Sequence, residues 1–199
     1  IKGLVFRDPV FTAPPERAQK IAEGLIKKKF KLKWACETRL DLLTIPLLDI
    51  LYESGLRVIN VGIESKSEEI LKKSSRKPIQ YEHQENIISY CDKKGINVTA
   101  FYILGWPDDT LETIEQTVRY AKELNTNVAG FTIYTPFPGT QSFEKFKDKL
   151  ITEDLTKFDA HHLVYKHDCF SADELYKIKE NAFLSYYYRP KYLIKFLNM

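Results

Sequence analysis

Residues 56–65 read LRVINVGIES, a run in which apolar side chains alternate with polar or absent ones. Alternate residues of a β-strand share a face, so Ile59, Val61 and Ile63 would pack beneath helices while Glu64 ends the opposite, polar face. An open sheet with helices on both sides needs apolar residues on both faces. A barrel whose interior holds a ligand does not, and this strand therefore favours a barrel over a doubly wound sheet.

The rest of the chain alternates between strand-like and helix-like patterns. Gly55 and Gly95 each follow a polar helix end, where a left-handed residue stops a helix. Regular alternation indicates parallel strands joined by right-handed crossovers. The predicted strands are Lys2–Arg7, Lys31–Thr38, Arg57–Glu64, Asn97–Leu104 and Val128–Thr135, and the predicted helices are Pro15–Lys28, Ile45–Ser54, Tyr81–Lys94 and Leu111–Asn125.

These patterns predict an α/β fold, namely a partial (βα) TIM-like barrel of about five parallel strand–helix units. The barrel would occupy residues 1–140, and residues 141–199 would form a C-terminal helical extension of the same domain. Two capping boxes mark helix starts. Asp109 pairs with Glu112 before the fourth helix, and Ser171 pairs with Glu174 in the extension.

Charge and composition exclude several kinds of partner. The chain has 30 basic and 27 acidic side chains, and its net charge of +3 indicates neither nucleic acid nor an anionic membrane. No apolar run reaches the roughly 20 residues of a membrane span, and the N-terminus lacks a signal-peptide layout. Cys36, Cys91 and Cys169 are far apart, which is typical of a reducing compartment without disulfides. We expect a soluble, cytoplasmic protein.

The first residues of the sequence indicate a fragment. Methionine occurs only at Met199, the last residue, so the sequence does not begin at its own start codon. The first strand also has no preceding segment with which to pair, and we therefore expect a missing N-terminal segment or domain. An uncovered edge strand exposes unpaired backbone, so self-association through this strand is a further expectation.

Polar residues gather at the carboxyl ends of the predicted strands, where parallel βα folds place their functional groups. Asp8 follows the first strand, Arg39 follows the second, and Glu64 ends the third. Glu64 would point inward, where its charge needs a partner such as Arg39 or the amino group of a ligand. After the fourth strand, Gly105 lets the backbone approach a ligand closely and Pro107 fixes the turn.

Five short segments stand in a characteristic order and spacing, namely FRDPVF (6–11), WACETRLD (34–41), VGIES (61–65), FYILGWPDDT (101–110) and PFPGT (136–140). Together they resemble the motifs of the radical S-adenosylmethionine (SAM) enzymes. The resemblance covers nearly the whole chain and is strongest to the iron–sulfur oxidoreductases that are often fused to cobalamin-binding domains. It implies that the full-length protein uses S-adenosylmethionine and a 4Fe-4S cluster, with cobalamin as a possible third cofactor. Reductive cleavage would give a 5′-deoxyadenosyl radical for hydrogen abstraction from, or methylation or cyclisation of, a small-molecule substrate.

The resemblance also implies cofactor-binding roles, while it assigns no catalytic residue and no metal ligand in this chain. Phe101 stands where the family's first glycine is common, and Asp108 stands where glutamate is common. By similarity, Glu64 would contact the ribose or the methionine amine of the cofactor, Arg39 would contact its carboxylate or ribose, and Asp8 would lie near its amino group. Ile103 would pack on the adenine, and the backbone at Tyr134 and Thr135 would complete the adenine site.

In the family, a CxxxCxxC loop after the first strand holds the cluster, and that loop is absent from this sequence. Cys36 falls within a predicted strand, Cys91 lies on a helix face and Cys169 lies in a loop. We expect buried structural thiols at the first two positions and no cluster on any of the three. The chain by itself is therefore expected to be inactive.

Two other functions also fit the residues. An iron-free barrel enzyme could use Asp8, Glu37 and Glu64 as general acids and bases, although it needs further strands that the C-terminal region does not offer. A non-catalytic interaction domain would use the aromatic segment from Tyr186 to Tyr192 as its binding surface.

Overall fold

The computed structural model describes residues 3–197. Lys2, where the first predicted strand begins, and Met199, the single methionine, lie outside the described residues. Within that range the strands are β1 (Gly3–Phe6), β2 (Lys33–Thr38), β3 (Leu56–Glu64), β4 (Asn97–Leu104) and β5 (Val128–Ile133). They form one sheet in the order β1-β2-β3-β4-β5, and β2 pairs in parallel with both β1 and β3. The predicted α/β alternation is confirmed.

The helices include the four that the sequence predicts, each within one residue of its predicted end. A six-residue helix between β3 and the next long helix was not predicted. Pro190 begins the last helix, at a position where the missing N–H of proline costs nothing. The helices are α1 (Pro15–Lys27), α2 (Ile45–Glu53), α3 (Glu68–Lys73), α4 (Tyr81–Lys94), α5 (Leu111–Leu124), α6 (Gln141–Phe146), α7 (Ala172–Tyr187) and α8 (Pro190–Leu197).

The two faces of the strands differ in burial, as the pattern of β3 predicts. Ile59, Val61 and Ile63 are at most 6% exposed. On the other face, Gly62 is exposed and Glu64 is half-buried. The strands β2, β4 and β5 show the same alternation of buried and more accessible residues. Each of these strands therefore packs one face against the interior, while the other face is more accessible.

The chain contains two compact units, and the first holds β1, β2 and most of β3 together with α1, α2 and α4. Its core is built around Trp34, whose indole Nε1 donates to the carbonyl of Ser54 at 3.1 Å. Gly55 has a φ of 111°, and a Cβ there would lie 1.9 Å from the carbonyl oxygen of Leu32. Glycine is therefore required where α2 turns into β3. The first unit comprises Ile1–Ile63, Lys77–Phe101 and Leu124–Ala129.

The second unit holds the ends of β4 and β5 with α3 and α5 to α8. Aromatic rings form its core, since Tyr102 stacks on Phe131 at 5.3 Å between centroids and Tyr186 meets Phe131 edge-on at 6.2 Å. The helix that carries Tyr186 begins with the predicted capping box of Ser171 and Glu174, which is confirmed. The second unit comprises Glu64–Arg76, Tyr102–Glu123 and Gly130–Met199.

The edge of the sheet is formed by β1, where Leu4 is 40% and Val5 is 51% exposed. Self-association through this strand stays a prediction. Among residues 3–197, no helix is both long enough and apolar enough to cross a membrane.

Candidate functional site

A tight turn, Gly105–Asp109, joins β4 to α5. Gly105 adopts the left-handed conformation, with a φ of 72°. A Cβ at this position would lie 2.9 Å from Cδ1 of Leu175 on α7. The backbone conformation thus favours glycine, and any Cβ would in addition displace the end of the Leu175 side chain.

Asp109 is buried inside this turn, with 2% of its surface exposed. Its carboxylate accepts a hydrogen bond from the N–H of Trp106 at 2.9 Å and another from the hydroxyl of Thr113 at 2.6 Å. Burial raises the pKa of Asp109 to about 6, and the two hydrogen bonds oppose that rise. At neutral pH the group is ionised and serves the turn as an acceptor.

The predicted capping box of Asp109 with Glu112 is wrong. Thr110 and Thr113 cap α5 instead: the N–H of Thr110 donates to Oγ1 of Thr113 at 3.0 Å, and the N–H of Thr113 donates to Oγ1 of Thr110 at 3.4 Å. Asp109 faces back toward β4 because its carboxylate binds the N–H of Trp106.

Two side chains from the segment before α7 also bind the turn. The hydroxyl of Tyr165 donates to the carbonyl of Gly105 at 2.7 Å, and Nε2 of His167 lies 2.8 Å from the carbonyl oxygen of Trp106. A carbonyl oxygen only accepts, so Nε2 of His167 carries the proton. Tyr165 is 1% and His167 is 6% exposed. Neither residue was singled out by the sequence analysis, because no local pattern shows that these side chains reach a turn some 60 residues earlier.

The end of β5 lies beside the same turn. The N–H of Tyr134 donates to the carbonyl of Leu104 at 2.9 Å, and the ring of Tyr134 lies 4.7 Å from that of Trp106. Thr135 follows and is 9% exposed. The structure therefore brings Tyr134 and Thr135 to the end of β4, the strand on which Ile103 lies half-buried.

Glu64 ends β3 in a left-handed conformation, with a φ of 68°. Its side chain is 20% exposed, and Oε1 lies 2.9 Å from Nη1 of Arg76. The predicted partner for the charge of Glu64 is thus Arg76, which follows α3. Asp108 of the β4 turn is paired with Lys73 of α3 at 3.2 Å. Asp108 therefore links the β4 turn to α3 through an exposed ion pair.

Asp8 and Arg39, the other two residues predicted to bind the cofactor, lie in the first unit. Asp8 accepts a hydrogen bond from Arg17 at 2.8 Å. Arg39 donates through Nε and Nη2 to the two carboxylate oxygens of Asp41, at 2.9 and 2.8 Å. These hydrogen bonds lower the pKa of Asp41. The cofactor roles of Asp8 and Arg39 stay predictions.

The cysteines do not fit an iron–sulfur cluster. Cys36 and Cys91 are buried as predicted, on β2 and α4, and burial raises the pKa of each thiol to about 12. Iron binds the thiolate, which these two sites disfavour. Cys169 is exposed. Within residues 3–197, no group of three or more His, Cys, Asp and Glu side chains could hold a metal ion.

The family model of the radical SAM superfamily matches residues 11–121, more than half of the chain. The chain belongs to the radical SAM superfamily. The resemblance carried by the five motifs is therefore confirmed. The radical SAM family implies S-adenosylmethionine and a 4Fe-4S cluster, and the buried Cys36 and Cys91 do not fit as ligands of that cluster.

Among known proteins, the radical SAM chain is similar to an uncharacterized methyltransferase of Pyrococcus horikoshii, with 31% identity over 98% of the chain and 43% of the relative. An anaerobic magnesium-protoporphyrin IX monomethyl ester cyclase of Rubrivivax gelatinosus is 29% identical over 77% of the chain and 28% of its own length. The chain thus spans less than half the length of either relative.

A solved structure with the same fold is coproporphyrinogen III oxidase of Escherichia coli, described as a radical SAM enzyme. The TM-score is 0.67 at 17% identity, over 93% of this chain and 40% of the other. This likeness shows the fold, and it confirms the predicted α/β class of partial TIM-like type with C-terminal helices.

Proposed function

We propose that this radical SAM chain binds S-adenosylmethionine through residues of its second unit, as part of a longer enzyme that methylates or cyclises a small-molecule substrate. The observation that carries the proposal is the backbone of Glu64. A left-handed conformation is uncommon for any residue with a Cβ and costs free energy, so it persists where the surroundings enforce it. Such strain clusters at ligand sites, and Glu64 ends a strand where this family places its cofactor.

The carboxylate of Glu64 suits the polar parts of S-adenosylmethionine. An ionised carboxylate accepts hydrogen bonds from ribose hydroxyls or from an ammonium group. The ion pair with Arg76 at 2.9 Å holds the side chain in one place, while 20% of its surface stays open. Glu64 would therefore orient the ligand through a charged acceptor that is already positioned before binding.

The adenine would lie against the ends of β4 and β5. Neither the carbonyl of Tyr134 nor the N–H of Thr135 takes part in any hydrogen bond among residues 3–197. Adenine carries an amino donor and ring-nitrogen acceptors on its edge, so each of these backbone groups can bind it. Ile103, half-buried on β4, offers an apolar contact for the ring.

Calorimetric titration of the purified chain with S-adenosylmethionine tests the proposal. We expect the wild-type chain to bind, and Glu64→Gln to bind about tenfold more weakly because a charged acceptor is lost. Glu68→Gln is the matched control, since Glu68 forms an exposed pair with Lys72 at 3.1 Å on α3. Absence of binding by the wild type overturns the proposed function, and equal affinities of Glu64→Gln and wild type remove Glu64 from the site.

Bound S-adenosylmethionine would supply the adenosyl and methyl groups on which the chemistry of this family draws. The described cysteines do not fit a cluster, so we expect the chain by itself to bind S-adenosylmethionine without cleaving it. The assay is the release of 5′-deoxyadenosine after reduction with dithionite, measured by mass spectrometry. Formation of 5′-deoxyadenosine by the chain itself contradicts this expectation.

The acid–base alternative is less well supported. Asp8, Glu37 and Glu64 each lie within 3.3 Å of an arginine nitrogen. A general acid or base would have to leave such an ion pair in order to transfer a proton. The pairs therefore suit a binding role better than proton transfer.

A further inference from the structure

Side chains hold the peptide groups at the end of β4 on both sides. The N–H of Trp106 is bound by Asp109 at 2.9 Å, whereas the carbonyls of Gly105 and Trp106 are bound by Tyr165 and His167 at 2.7 and 2.8 Å. These are not the hydrogen bonds of a strand or a helix. The buried side chains of Asp109, Tyr165 and His167 thus fix the backbone conformation at Gly105 and Trp106.

The ring of His167 is itself held from both nitrogens. Nε2 donates to the carbonyl of Trp106, and Nδ1 accepts the N–H of Cys169 at 3.0 Å. This pattern requires the neutral ring with its proton on Nε2. The donor that reaches the turn is therefore fixed in both orientation and tautomer.

A turn that only connects a strand to a helix does not need this arrangement. Tyr165 and His167 reach the turn across some 60 residues, so ordering them has an entropic cost that local contacts avoid. Backbone that buried side chains fix from both sides is typical of a ligand site that is organised before binding.

We infer that Tyr165 and His167 are positioning residues for the S-adenosylmethionine site, an inference that depends on the proposed function. They act through the turn, because the ring of Trp106 packs on Tyr134 at 4.7 Å and the N–H of Tyr134 binds the carbonyl of Leu104. Holding Trp106 in place therefore holds the backbone of Tyr134, to which the adenine binds. Tyr165 and His167 together form a clamp on the turn.

The test compares the affinity of folded variants for S-adenosylmethionine by calorimetry, well below each unfolding midpoint. We expect Tyr165→Phe and His167→Leu each to raise the Kd about fivefold, the effect of one lost hydrogen bond. His167→Gln keeps an N–H donor and should stay within about twofold of wild type. Tyr176→Phe is the control, because its hydroxyl binds the N–H of Leu163 in the same segment without contacting the turn.

Each outcome has a distinct meaning. Unchanged Kd values in Tyr165→Phe and His167→Leu overturn the clamp while leaving the proposed function in place. A loss of affinity that Tyr176→Phe shares, or that His167→Gln does not rescue, shows a merely structural role and also overturns it. If the wild-type chain does not bind, the proposed function and the clamp fall together.

Discussion

Asp109→Asn should change how the stability of the chain depends on pH. The substitution keeps the size of a side chain that is 2% exposed, and it removes the charge. The pKa of Asp109 is raised by burial from 3.8 to about 6 in the folded chain. Between those two values the unfolded carboxyl is ionised while the folded one still holds its proton. The folded state then binds more protons, so stability falls as the pH rises through this window.

The size of the effect follows from the shift. One pKa unit corresponds to about 1.4 kcal/mol, so ionisation of Asp109 should lower the free energy of unfolding by about 3 kcal/mol in total. About 2.4 kcal/mol of this falls between pH 4 and pH 7, because the unfolded carboxyl is already partly ionised at pH 4. The asparagine variant lacks this contribution. Its free energy of unfolding, relative to that of the wild type, should therefore rise by the same amount over the same range.

Urea unfolding at several values between pH 4 and pH 7, followed by circular dichroism, measures both proteins. The difference between them isolates Asp109, because every other titrating group is present in both. A difference that stays constant with pH would refute the account in which burial raises the pKa of Asp109. A difference that falls with rising pH would show that the hydrogen bonds from Trp106 and Thr113 outweigh burial.

Two further predictions concern glycine and cysteine. Gly105→Ala should lower the free energy of unfolding by about 1 kcal/mol or more beyond the loss caused by Gly95→Ala. Both glycines are left-handed, but of the two only Gly105 has a side chain within 3 Å of a new Cβ. Equal losses of free energy in urea unfolding would contradict the packing argument. A thiol reagent should modify Cys169 rapidly in the native protein, whereas Cys36 and Cys91 should react only when the protein unfolds. Burial shields those two thiols and raises the pKa of each to about 12. Rapid reaction of all three cysteines would show that the buried sites open readily.

The sequence predicts best what depends on local periodicity. The alternation of Ile59, Val61 and Ile63 with polar neighbours reports burial directly, so the strand and its buried face are both predicted correctly. The start of α5 at Leu111 is predicted correctly, but its cap is mispredicted, because the D-x-x-E pattern of Asp109 and Glu112 is also compatible with an aspartate that binds back to its strand. The motif shows only the spacing of Asp109 and Glu112, whereas the folded structure determines which N–H group the carboxylate of Asp109 binds.

The candidate site is predictable only in part. Glu64 and Tyr134 follow from strand ends and from the family resemblance, since position along a strand fixes where a side chain lies. The partner of Glu64, Arg76, and the clamp residues follow from tertiary contacts that leave no periodic signal. Contacts of this kind join residues that are distant in the sequence, so they can be identified only in the three-dimensional structure.

The close approach of Gly105 to Leu175 also bears on how this part of the family can vary. The two positions are 70 residues apart in the chain, yet a Cβ at one would lie 2.9 Å from the other. A larger residue at 105 would therefore displace the Leu175 side chain as well as strain the left-handed backbone. Substitutions at 105 and 175 should accordingly have non-additive effects on stability, because each changes the space that the other occupies.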